Sequence, residues 1–230
     1  MEGTIQEFIL DTKRGPFTCL RDYNCEATAT EGISASCYIV KQNENKKYAG
    51  IEMDNDNTII LYQYAVYQAW LDMCRTVPGA GNKKKQQCQD AREKAASILQ
   101  EYFLGEPKES ENDFDEWLRY ALDEVSKQAK LTIGQSQKII NMAFKYLYCC
   151  EDIRGKYNKH FAYCHMPLDS YTLNWYSGDK KYQGTPWSKI NAICEYFDIQ
   201  NRIRDRLCHG NVLLEEFSIW LEEKKKQTKK

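Results

Sequence analysis

Residues 132–150 read TIGQSQKIINMAFKYLYCC, and this stretch decides the fold class. Thr132 followed three residues later by Gln135 is a capping-box pattern, in which hydroxyl and side-chain amide reciprocally satisfy two amides at a helix start. Behind it Ile139, Ile140, Ala143, Phe144 and Leu147 recur at three and four, the period of an amphipathic helix. On that wheel Lys138, Lys145 and Cys149 fall on the opposite stripe, where solvated side chains are expected. Met142 lies near the same stripe and indicates a face that is not wholly wet.

The same period governs most of the chain. Ile59, Tyr62, Ala65, Val66, Ala69 and Trp70 predict a helix from Thr58 that ends before the breaker Val77-Pro78-Gly79-Ala80-Gly81. A second helix runs from about Lys84 to Phe103 and is closed by Gly105 and Pro107. Acidic residues between Glu106 and Asp115 lead into a third, Asp113 to about Ala129, and favour its positive end. Residues 151–166 read as irregular. Pro167 begins a short helix through Tyr176. Thr185-Pro186 has the form of an N-cap with proline at the first helical position, and opens a long helix to about Leu207. Val212 to Leu221 form the last, with Phe217 and Trp220 as anchors. Ahead of all these, Ile33–Val40 and Tyr48–Met53 are rich in β-formers and predict a hairpin. The fold class is therefore mainly α: a multi-helix array, residues 58–230, preceded by an irregular segment with a small β-hairpin, residues 1–57.

Composition narrows the function classes. At 230 residues with 42% hydrophobic content, the chain has enough apolar mass for a sizeable core. Its net charge of -1 argues against gripping nucleic acid by a broad positive field. No run approaches the roughly 20 apolar residues of a membrane span. The opening residues MEGTIQEFILDTKRG carry no apolar run of a leader, so the ten cysteines are expected as reduced thiols in the cytoplasm.

Two patterns carry chemistry. Gly134, Lys138 and Asn141 form G-x-x-x-K-x-x-N, and residues 167–171 read PLDSY, with Asp169 at its centre. Together they resemble the core of the helix-hairpin-helix DNA glycosylase superfamily, over residues 133–176, about a fifth of the chain. The resemblance implies that Lys138 is a nucleophile and Asp169 its electrostatic partner. It further implies that the turn at Gly134, Gln135 and Ser136 brings backbone amides to a DNA phosphate. Ser136 stands where that family usually has a second glycine, and Tyr171 where histidine is common. A flipped base would stack on Tyr163, Tyr171, Trp175 or Trp187. No four-cysteine motif follows, so no iron–sulfur cluster and no other cofactor is implied.

Other groupings have plainer readings. Cys149, Cys150, His160, Cys164 and His165 offer zinc-type donors, but adjacent pairs point apart, which favours buried thiols and a surface histidine over a metal site. Arg202, Arg204 and Arg206 read as a solvated helix face. Two functions from different classes follow: a glycosylase/lyase-like enzyme, or a non-catalytic helical module that binds a protein or nucleic acid.

Overall fold

The computed structural model describes residues 55–77, 85–178, 181–208 and 210–228, together with two short strands near the N-terminus. Those strands, β1 (Gln6–Ile9) and β2 (Thr18–Arg21), pair antiparallel with Gln6 opposite Arg21. The hairpin expected at Ile33–Val40 and Tyr48–Met53 lies outside the described residues.

Helices make up nearly all of the rest: α1 (Asn55–Thr76), α2 (Lys85–Leu104), α3 (Glu111–Ala129) and α4 (Ile133–Cys149) come first. They are followed by α5 (Glu151–Tyr157), α6 (Ser170–Tyr176), α7 (Ile193–Arg206) and α8 (Val212–Thr228). The protein is mainly α. Local rules bound α3 and open α4. Ser110 caps α3 by accepting the Asp113 amide, and Lys130 ends it in the left-handed conformation at φ 47°. Thr132 and Gln135 then form the capping box that starts α4.

α4 is the central element, packed by α1 and α3 on its flanks, by the turn at Trp187–Lys189 on its first residues, and by α5 and α7. Its residues from Ser136 to Phe144 are all buried. The apolar side builds an aromatic core in which Phe144 meets Tyr102, Phe103, Phe114, Trp117 and Phe161. Each such ring pair adds about 0.5–1.5 kcal/mol beyond area burial, so this cluster fixes the angles between α2, α3 and α4.

Two expected elements differ. Residues Glu151–Tyr157 form α5, although only Ile153 among them is buried. The long helix expected from Pro186 is instead a 3₁₀ turn at Trp187–Lys189, a break, and then α7. Tertiary bonds explain the break. The Ser188 carbonyl accepts the Thr132 hydroxyl at 2.9 Å, and the Ile190 carbonyl accepts the Gly134 amide at 2.9 Å. A continuous helix would need both carbonyls for its own ladder.

Candidate active site

Lys138 is not solvated. It is 5% exposed, and its Nζ lies 3.0 Å from Oδ2 of Asp169, thirty-one positions further along the chain. On the stripe of α4 that carries both lysines, Lys138 meets the acid at the start of α6 and Lys145 meets α8. On α8 the buried Glu216 pairs with Lys145, whose ammonium also sits 4.5 Å from the Phe217 ring centre. Phe217 and Trp220 are thus half-buried partners of a lysine, while Leu213, Glu216 and Ile219 face the interior. Burial pushes the Glu216 carboxyl up, against the pull of Lys145 and, further off, Lys138.

Asp169 uses both of its oxygens. Oδ1 accepts the amides of Tyr171 at 2.8 Å and Thr172 at 3.0 Å, and so caps α6, while Oδ2 faces Lys138. The Thr172 hydroxyl in turn accepts the Asp169 amide at 2.8 Å, completing a capping box. Burial raises the Asp169 carboxyl, but Lys138 and the two amides outweigh it and hold the group below its ordinary value. The expected acid at a helix start and the expected partner of Lys138 are one and the same carboxylate.

Behind this pair runs a buried polar chain. Gln137 clamps Leu168 by its main chain, donating Nε2–H to the carbonyl at 2.9 Å and accepting the amide on Oε1 at 3.1 Å. Asn141 donates to the same Oε1 at 3.0 Å and to the Tyr196 hydroxyl at 2.9 Å. The Tyr196 hydroxyl lies 2.7 Å from His165 Nδ1, and His165 Nε2 lies 2.9 Å from Asp115 Oδ1. Arg204 grips Asp115 with both terminal nitrogens, at 2.7 and 2.9 Å. Nη2 of Arg204 also lies 2.7 Å from His165 Nε2, so that nitrogen faces both a carboxylate oxygen and a guanidinium. Burial, with Arg204, lowers His165 to about 4 against the pull of Asp115, so the ring stays neutral. Burial works to raise Asp115, but its bonds to His165 and Arg204 bring it down to about 2.

The other expected site residues divide. Trp187 is 8% exposed and its ring centre is 5.9 Å from Lys138 Nζ, so it does border the pair. Gly134 lies under the Trp187 main chain, and its amide is taken by Ile190 rather than held open for a phosphate. Gln135 spends its side chain on the capping box, and Ser136 is fully buried. Trp175 is half-buried against Arg206, whose guanidinium carbon lies 4.5 Å from the ring centre. Tyr171 meets Trp220, and the Tyr163 hydroxyl donates to the Glu109 carbonyl at 2.9 Å.

Arg202 and Arg206 are exposed, as a solvated face requires, and only Arg204 departs from it. Arg204 is buried, and Arg206 donates to the carbonyls of Trp175 and Tyr176 at the end of α6. Nor is His160 a surface group: it is buried, with Nε2 2.9 Å from the Gly105 carbonyl. Cys164 is buried, Cys149 and Cys150 are half-buried, and among the described residues no group of three His, Cys, Asp or Glu side chains converges as metal ligands would. No helix of the described residues is long and apolar enough to cross a membrane.

Asp115, Tyr196 and Gln200 escaped the sequence reading. A signal existed for α7: Phe197, Gln200, Ile203 and Arg204 recur at three and four, which marks Arg204 as inward.

Comparison with protein-family profiles, with curated proteins and with solved structures gives no match.

Proposed function

We propose that Lys138 and Asp169 form the chemical centre of a glycosylase/lyase-like enzyme acting on damaged bases in DNA. The supporting observation is their 3.0 Å approach inside a mostly buried setting, with the acid fixed at a helix start. A lysine and a carboxylate remote in sequence are costly to bury, and meet there only if packing holds them.

The chemistry is nucleophilic. With its proton released to solvent, the Lys138 amine attacks C1′ of the nucleotide while Asp169 stays ionised. The C1′–N bond to the base breaks, and the base leaves with that electron pair. Asp169 stabilises positive charge gathering on the sugar. Asp169 then takes a proton from Nζ and delivers it to O4′ as the C1′–O4′ bond breaks, so that the C1′–Nζ bond becomes a Schiff base. Trp187 borders the amine and supplies an aromatic face for an extruded base.

A second reading rests on the closure of the site. Lys138 is 5% exposed, Asp169 has both oxygens engaged, and Gly134 is covered, so DNA docking through the turn requires Trp187–Ile190 to move away. On this reading the pair ties α4 to α6 in a non-catalytic helical binding module. Borohydride trapping on duplex oligonucleotides bearing a panel of damaged bases separates the two. The enzyme reading expects a covalent protein–DNA band that Lys138→Ala abolishes. A blank across the panel supports the module.

A further inference from the structure

We infer that Gln137 is a positioning residue for the Lys138–Asp169 pair, held in register by the chain Asn141–Tyr196–His165–Asp115–Arg204. This deepens, and rests on, the enzymatic reading of that pair.

The geometry is specific. Leu168 immediately precedes Asp169, and its carbonyl and amide are both taken by one side-chain amide, that of Gln137. The neighbouring Met166 carbonyl is held in the same way by Gln200 at 2.7 Å. Side chains from α4 and α7 hold Leu168 and Met166, and the Thr172 hydroxyl of α6 holds the Pro167 carbonyl and the Asp169 amide. Gln137 is the residue next to Lys138 on α4, so a single stretch of helix carries the amine and also fixes where the acid stands.

Only one orientation of the Gln137 amide works. Its oxygen must face the Leu168 N–H and its nitrogen the Leu168 carbonyl, since reversal sets donor against donor and acceptor against acceptor. Asn141 enforces this by donating to the same oxygen. Asn141 is held by Tyr196, Tyr196 by His165, and His165 by an Asp115 that Arg204 grips from two directions. Gln137, Asn141, His165 and Gln200 are all 0% exposed, so bulk water does not reach them. The chain carries directional information from α3 and α7 to the carboxylate at the amine.

The test uses Gln137→Met, which keeps the length of the side chain and removes both bonds to Leu168. Two readouts are taken on the full chain. The first is titration of the Asp169 carboxyl carbon by NMR, which needs no substrate. In the variant it should move upward, towards the ordinary carboxylate value, as Asp169 drifts from Lys138. The second is the single-turnover rate of borohydride-trappable adduct, expected to fall on the order of a hundredfold with DNA affinity unchanged, as loss of alignment predicts. Should Gln137→Met fail to fold, Tyr196→Phe cuts the chain one link further away and should move both readouts in the same direction by less. An unmoved Asp169 titration in a folded variant overturns the inference. A moved titration with no adduct in the wild type upholds the positioning and sinks the enzymatic reading alone.

Discussion

A Cβ built on Gly134 falls 1.6 Å from the carbonyl oxygen of Trp187. That oxygen belongs to the main chain of the 3₁₀ turn, which is itself pinned to α4 through Thr132 and Ile190. A glycine in the first turn of α4 is therefore required by close approach of two backbones, rather than by a ligand.

Gly134→Ala accordingly forces apart α4 and the Trp187–Ile190 segment. Overpacking of this kind costs about 1–3 kcal/mol, and losing the buried amide bond adds about 1 kcal/mol. Thermal unfolding should show Tm lower by roughly 6–12 °C for a loss of about 3 kcal/mol in a chain of this size. An unchanged Tm would mean that the two segments are not in contact.

The ion pair itself is open to a double-mutant cycle. Lys138→Met leaves a buried carboxylate with no cation, and Asp169→Asn leaves a buried ammonium while retaining a good cap for α6. Each single change should destabilise by about 3–5 kcal/mol, and the double variant by clearly less than their sum. Additive losses in urea unfolding would say that the two groups do not interact.

Much of this was legible beforehand, and the reason is local. The capping box of Thr132 and Gln135 and the periodicity of α1 to α4 need only neighbours in sequence, so they were read correctly. The burial of Lys138 was not, because a helical wheel shows which residues share a face but not that Asp169 and Trp187 close on that face. The helix expected from Pro186 broke for a similar reason: its propensity was overridden by two carbonyls committed to α4. Arg204 was hidden by its neighbours Arg202 and Arg206, which suggested a charged face, although only Arg204 falls in line with Phe197 and Gln200. Lys138 and Asp169 could be paired on paper; what links them through Gln137 could not.

Acid should weaken the protein through His165. The folded ring titrates near about 4 and the free residue near 6.5, so the unfolded chain binds the extra proton first. Stability is whole above the higher value and is lost as pH falls towards the lower one. Between about pH 7.5 and about pH 5 the loss attributable to His165 is about 2 kcal/mol. Asp115, lowered to about 2, adds a loss of the same sign below its ordinary range, whereas Glu216, raised by burial, acts in the opposite sense. The comparison is therefore made against His165→Gln, which retains Glu216 and Asp115. Urea midpoints should fall more steeply with acid in the wild type than in the variant; parallel curves would remove His165 from the account.

The most direct measurement is the site of covalent attachment. After borohydride reduction with DNA carrying a damaged base, the cross-linked protein is digested and the modified residue located by mass spectrometry. The sugar remnant is expected on Nζ of Lys138, with the yield collapsing in Asp169→Asn. Attachment to the chain's α-amino group or to an exposed lysine, with Lys138 unmodified, would contradict it.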